Sequence, residues 1–250
     1  MKNPFAAHGI EHLSPSTCNL FIGSTAAFVL QKCLKKGGQV GCAAFRGTSV
    51  EHGIAKGLME GASVDECIRH AEDEFYRLSA MSQDPAKEKE RGSLGDMVRV
   101  GLKELLPYGP PSSAQGKIDY QFEGLAVPFV GYFDFEWQNH KVLIDLKTTH
   151  AVPSQIKTDH ARQVALYVAA KGNDLDPRLA YVSTKRSAVY RLENVDQHVA
   201  SLGKIGLAIQ NFLSTSEDPL ELASKVMPDV DSFYFKDPMV RQTVFEIWGI

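Results

Sequence analysis

The apolar positions of this chain change their spacing near its middle. Up to about residue 106 they recur every three or four positions, the interval of one helix face; beyond residue 116 they alternate or run together as in strands. Ser14, Pro15 and Ser16 form a helix start, with proline at the first helical position. A helix is predicted from there to about Lys35, with Leu20, Ala27 and Leu30 among its apolar positions, ended by Lys36-Gly37-Gly38. A second begins near Ala43 and carries GTSVEHGIAKGLMEG. Residues 64–78 form a third, with Val64, Cys67, Ile68, Ala71 and Phe75 on one face. Residues 84–91 read as a solvated helix or loop, and 98–106 as a short helix. PYGPPSSAQG is the clearest linker.

After the linker, three successive strands are predicted over 117–122, 126–137 and 141–149, with a bulge or bend at Pro128 and Gly131. Residues 160–170 are helical, and 179–183 and 189–192 return to strand. Residues 195–213 form an amphipathic helix with Leu202, Ile205, Ile209 and Phe212 on its apolar side, and 239–248 a last helix. This order predicts a single α/β domain over 1–250: a mainly helical N-terminal part (1–110), a sheet-and-helix part (116–193) and C-terminal helices (194–250).

Composition narrows the setting. At 44% hydrophobic and 23% charged the chain can build a core, and no apolar run reaches the roughly 18 residues of a membrane span. The first residues lack the pattern of a signal peptide. The four cysteines, Cys18, Cys33, Cys42 and Cys67, form no CxxC pair, which fits a reducing, cytoplasmic setting. A net charge of −3 leaves any nucleic-acid contact to local clusters, such as Lys32, Lys35 and Lys36, or Lys185, Arg186 and Arg191.

The stretch GYFDFEWQNHKVLIDLKTTH, followed by HARQVALY, carries the candidate chemistry. With Asn139 and His140 at the middle of the turn, Asp134 lies across from Asp145, and Lys147 shares the face of Asp145. Like charges opposite each other destabilise an antiparallel pair. A divalent cation between them would keep both ionised, and a lysine beside it suits work on phosphate. A surface salt bridge on a half-exposed strand is the plainer account of any one DxK. The mirror relation of the two aspartates raises the pattern above it. Gln163 and Tyr167, four apart, share a helix face. Gln163 is either an ordinary polar position or a group that holds a phosphate, a metal-bound water or a lysine.

GYFD, IDLKTT and QxxxY, in that order and spacing, resemble the motifs of the RecB-like branch of the PD-(D/E)xK nucleases. That branch includes the RecB nuclease domain, CRISPR-associated RecB-like exonucleases and, more distantly, lambda exonuclease. The resemblance covers roughly residues 13–182. It implies a restriction-endonuclease-like α/β core, a central mixed β-sheet flanked by helices, with a helical N-terminal layer. The family's GxxxH or GxxxE helix matches Gly47 to Glu51, with His52 about 100° round the helix. The implied metal ligands are Glu51, Asp134, Asp145 and the Leu146 backbone carbonyl. Lys147 becomes the catalytic lysine, and Gln163 and Tyr167 position the lysine, the DNA strand or both. Arg46 and Arg162 flank the helical motifs as candidate holders of a terminal phosphate, or as structural salt bridges, and Lys185 is a further candidate DNA contact.

The resemblance further implies a Mg²⁺- or Mn²⁺-dependent exonuclease acting at DNA ends in recombination or repair. Viral and mobile-element enzymes of this size work beside single-strand annealing proteins, and some form homo-oligomeric rings. Relatives with an iron–sulfur cluster use one N-terminal and three C-terminal cysteines. This chain has none beyond Cys67, and Ser24 stands near the N-terminal position, so no cluster is expected. A structure-specific endonuclease, or a DNA-binding subunit without catalysis, are the alternatives.

Overall fold

Ser14 caps the first helix: its hydroxyl accepts the Thr17 amide at 3.2 Å, ahead of Pro15. In this computed structural model, which describes residues 3–172 and 174–250, helix α1 (Pro15–Gly23) stops well short of Lys35. Ser24 turns extended, caps the Ala27 amide and starts α2 (Thr25–Phe28), which passes into a π-helical stretch over Val29–Cys33. Periodicity reads such a serine as one more helical position. Its hydroxyl instead competes for backbone amides and breaks the helix.

The elements that follow are α3 (Cys42–Glu60), α4 (Val64–Leu78), α5 (Lys87–Gly92), α6 (Leu94–Leu105), β1 (Ser113–Tyr120), β2 (Phe129–Trp137), β3 (Val142–Thr148), α7 (Thr158–Lys171), β4 (Asp176–Val182), β5 (Ser187–Arg191), α8 (Val195–Leu213), α9 (Pro219–Ser224) and α10 (Pro238–Trp248). Helix α9 had no periodic signal. It rests on Asp218, whose side chain caps the Leu220 amide ahead of Pro219. Among the described residues no helix is long and apolar enough to cross a membrane.

The strands form a five-stranded sheet in the order β1-β2-β3-β4-β5. β2 and β3 are antiparallel, β3 and β4 parallel, β4 and β5 antiparallel. The chain is therefore α/β, a mixed sheet flanked by helices. Parallel neighbours need a long crossover, and α7 supplies it.

Two units emerge, and the division falls within β1 and β2: one comprises Met1–Gly38, Ile118–Gly131 and Val195–Ile250, the other Gln39–Lys117 and Tyr132–Asn194. In the first, Ala26, Ala27 and Leu30 share a core with Phe235, Val240 and Val244. Leu13 bridges Phe129 in parallel, taking the Pro128 carbonyl at 2.9 Å and the Val130 amide at 2.8 Å. Pro128 thus sits just outside β2, where its missing N–H costs nothing.

In the second unit, Val50, Ile54 and Leu58 of α3, Cys67, Ala71 and Phe75 of α4, and Met97, Val98 and Leu102 of α6 cover Val142, Ile144 and Leu146 of β3. Helix α3 carries glycine despite its cost of about 1 kcal/mol per residue in a helix. A Cβ on Gly53 would lie 2.8 Å from the Cys67 carbonyl, and one on Gly57 2.6 Å from Leu102 Cδ2. Close seating requires both. The predicted linker overlaps β1 for a similar reason: a Cβ on Gly116 would stand 2.1 Å from the Phe133 ring. That glycine serves packing, not a turn.

Helix α4 matches its predicted limits because its start is self-contained. The Ser63 hydroxyl accepts the Glu66 amide, and Glu66 Oε2 accepts the Ser63 amide at 2.9 Å. Ser63→Ala is expected to cost about 1 kcal/mol. A urea midpoint equal to wild type would show that the box adds nothing here.

Candidate active site

Strand β3 is buried on both faces, so the half-exposed salt bridge of the plainer account does not apply. Val142, Ile144 and Leu146 face the helical core, while Leu143 and Asp145, both fully buried, alternate to the other face with Lys147. The β2–β3 hairpin keeps the predicted register: Trp137 pairs with Val142, Glu136 with Leu143 and Phe135 with Ile144, each equidistant from the Asn139–His140 tip. The observed pairs end there; counting one step further would set Asp134 level with Asp145. The Leu146 amide donates to Asp134 Oδ2 at 2.6 Å instead of to a β2 carbonyl. β3 meanwhile stays paired with β4 through Thr148 and Val182. The two strands part at the aspartates.

Asp145 is wholly buried, and neither of its oxygens meets a hydrogen bond of ordinary geometry. It is ion-paired with Lys147, whose Nζ lies 2.5 Å from Oδ2. Burial would lower the Lys147 pKa, but Asp145 and Asp134 outweigh it and hold the ammonium above the usual lysine value. Lys147 is thus a fixed positive charge. The Asp134 carboxyl is pushed well above the usual aspartate range, first by burial and then by Asp145 and Glu51. Glu51 on α3 is raised by burial, an effect that the Gln115 hydrogen bond opposes and Asp145 reinforces. Its neighbour His52 turns away to Glu74 on α4, Nδ1 to Oε1 3.5 Å. Glu51 is therefore the residue of that pair within reach of the acids.

Helix α7 covers this side of the sheet with His160, Gln163, Tyr167 and Lys171 at helical intervals. Gln163 does not reach Lys147: its Nε2 donates to the Tyr167 hydroxyl at 2.5 Å, which also takes the Tyr132 backbone amide. The pair braces β2 next to the point where it leaves β3. Lys171 meets Glu136 at 2.5 Å and Ser113 donates to the same carboxylate at 3.0 Å, so the next acid along β2 is already neutralised.

Three further residues at this site escape the sequence reading. Gln115 Nε2 donates to Glu51 Oε1 at 3.0 Å. Tyr181 stands beside Lys147 across the parallel β3–β4 pair, and its hydroxyl lies 2.8 Å from His160 Nδ1 and accepts the Lys157 amide at 3.2 Å. Burial lowers the His160 pKa, so the imidazole is neutral near pH 7. His160, three before Gln163, shared a visible helix face with it. Tyr181 carried no signal, since a crossover connection hides parallel register.

The expected DNA contacts divide. Arg46 is buried and ion-paired with Glu90, and it also meets His150 Nε2 at 3.2 Å and Thr148 Oγ1 at 3.3 Å. It ties α3 and α5 to the end of β3 and is not a free phosphate clamp. The solvated reading of 84–91 fails at Glu90 alone, which is 4% exposed, while Glu88, Lys89 and Arg91 are exposed. Arg162 is buried on α7. Lys185 is exposed at the β4–β5 turn, where Arg186 donates to the Val152 carbonyl; Arg191, at the far end of β5, pairs with Asp176.

Among the described residues, no three His, Cys, Asp or Glu side chains form a ready-made metal cluster. The donors present nonetheless fit a hard cation: an unbonded buried carboxylate oxygen on Asp145, and carboxylates that repel one another. No protein-family model matches the chain, and no curated protein matches it. A solved structure described as "Crystal structure of SSO0001" is similar to it at a TM-score of 0.36 and 18% identity, over 54% of this chain and 69% of that one. A likeness of that size carries no argument.

Proposed function

We propose that this chain is a divalent-metal-dependent deoxyribonuclease with a restriction-endonuclease-like core, cleaving phosphodiesters at DNA ends. The carrying observation is the parted β2–β3 hairpin. It buries two level aspartates beside an ammonium and leaves an Asp145 oxygen without a hydrogen-bond partner. A surface or structural ion pair does not account for that carboxylate. Buried charge of one sign is retained at a cost, and such costs concentrate at functional sites.

Asp134, Asp145, Glu51 and the Leu146 carbonyl would hold Mg²⁺ or Mn²⁺. When bound, the ion would supply Lewis acidity and a more acidic water. Lys147 would act as a positive charge beside the acids, held 2.5 Å from Asp145 Oδ2. That suits neutralising negative charge that grows on a phosphoryl group in the transition state. Gln163 and Tyr167 act indirectly, bracing β2 so that Asp134 stays level with Asp145. DNA is the partner this chemistry requires. A single-strand annealing protein and self-association into a ring are expectations from the resemblance alone.

The test is digestion of linear duplex DNA labelled at either end, with Mg²⁺ and with chelator, beside a closed circular plasmid. The expected result is metal-dependent release of labelled nucleotides from the linear form and an intact circle. Nicking of the circle would replace the exonuclease with an endonuclease. Absence of metal-dependent cleavage on any DNA would overturn the reading.

A further inference from the structure

Gln115 lies in β1 with a left-handed backbone, φ +53°. That conformation is strained for most residues with a Cβ, glutamine included. Glycine takes it freely, yet the adjacent Gly116 is used differently, beneath the Phe133 ring. The strained glutamine makes one long-range contact, its amide on Glu51 Oε1 at 3.0 Å, bridging 64 residues of sequence. An exposed strand glutamine gains nothing for itself from such a backbone. Strain of this kind persists where a side chain must be aimed.

We propose that Gln115 is a positioning residue that fixes the Glu51 side chain, leaving its second carboxylate oxygen for the cation shared with Asp134 and Asp145. The proposal rests on the nuclease reading. Glu51 is half-buried on a helix, and its long side chain has several rotamers. Carboxylate ligands are commonly held by a hydrogen bond from an outer neighbour, and removing that neighbour costs about 10–100-fold in metal affinity. A neutral amide also suits the task. It orients the carboxylate without competing for the cation, as a lysine would. Because Gln115 is exposed, the expected effect is at the low end, about tenfold.

Two variants of the full chain test this, Gln115→Gly and Gln115→Asn. Glycine and asparagine both tolerate a left-handed backbone; glycine removes the amide, and asparagine draws it back by one methylene. Mn²⁺ titration by calorimetry should show the dissociation constant rising about tenfold in both. The urea midpoint of Gln115→Gly in chelator should equal or exceed wild type, since strain is released. A purely structural glutamine gives a different pattern: the midpoint falls, and Mn²⁺ affinity stays within twofold. That result overturns the proposal, as does unchanged affinity in both variants. If wild type binds Mn²⁺ and cleaves DNA while Gln115→Gly matches it, the Gln115 role alone fails. If wild type binds no Mn²⁺, the nuclease reading fails and takes the Gln115 role with it.

Discussion

Lys147→Ala is expected to lower DNA cleavage by about 10³-fold, the loss typical when one preorganised charge is removed from a transition state. The same substitution should destabilise the metal-free protein by about 3 kcal/mol, because Asp145 is wholly buried and Lys147 is its ionic partner. The two losses separate on adding Mn²⁺. A cation replaces the missing ammonium as the countercharge, so the urea midpoint should recover while cleavage does not. Mn²⁺ should bind at least as tightly as in wild type, since the ammonium no longer competes for Asp145. Lys147→Met, which keeps the aliphatic stem, should lose cleavage to the same extent. Cleavage within tenfold of wild type in either variant would remove Lys147 from the mechanism.

Asp134→Asn should abolish metal-dependent cleavage and, in chelator at neutral pH, stabilise the protein by about 1–2 kcal/mol. The amide oxygen can still accept the Leu146 N–H, so the hydrogen bond at the parted hairpin survives. What disappears is a buried charge beside Asp145 and Glu51. The native Asp134 carboxyl titrates well above its unfolded counterpart, so between those two values the folded state binds the extra proton. Its stabilising contribution is complete below the ordinary aspartate pKa and is lost as pH rises through the raised native value. Wild type should therefore lose stability with rising pH across that interval, and Asp134→Asn should show a shallower slope. Glu51, raised in the same direction, keeps part of the dependence in the variant. Urea midpoints at pH 5 and pH 8 measure both slopes. An Asp134→Asn protein less stable than wild type at pH 8, or one with an unchanged slope, would show that the charge is not under strain.

The hairpin register was legible because a short tip fixes its own geometry: symmetric counting from Asn139 and His140 reproduced three observed pairs. Helices α4 and α8 were legible through clean periodicity. What failed shares a cause, contact between residues distant in sequence. Glu90 lies in a run of charges and reads as solvated, yet Arg46, 44 residues earlier, draws it inside. Gly116 reads as a turn residue, but Phe133 needs the space above it. Gln115 sat in the linker with nothing in the sequence to mark a left-handed residue. The N-terminal helices, read as one layer, belong to two different units. Of the candidate site, the acids and the lysine were readable from local spacing. The residues around them, Gln115, His160 and Tyr181, were set by strand register and helix placement.

The seating of α3 has a consequence for variation at a distance. Gly53 and Gly57 let the helix lie directly on the Cys67 carbonyl and the Leu102 side chain. Glu51 is two residues from the first of these, on the same rigid cylinder. A methyl group added at Gly53, where it would meet the Cys67 carbonyl, lifts the axis and carries the carboxylate with it, as a spacer under one end of a ruler moves every mark. Inherited change at Gly53 would silence the acid without altering one atom of it.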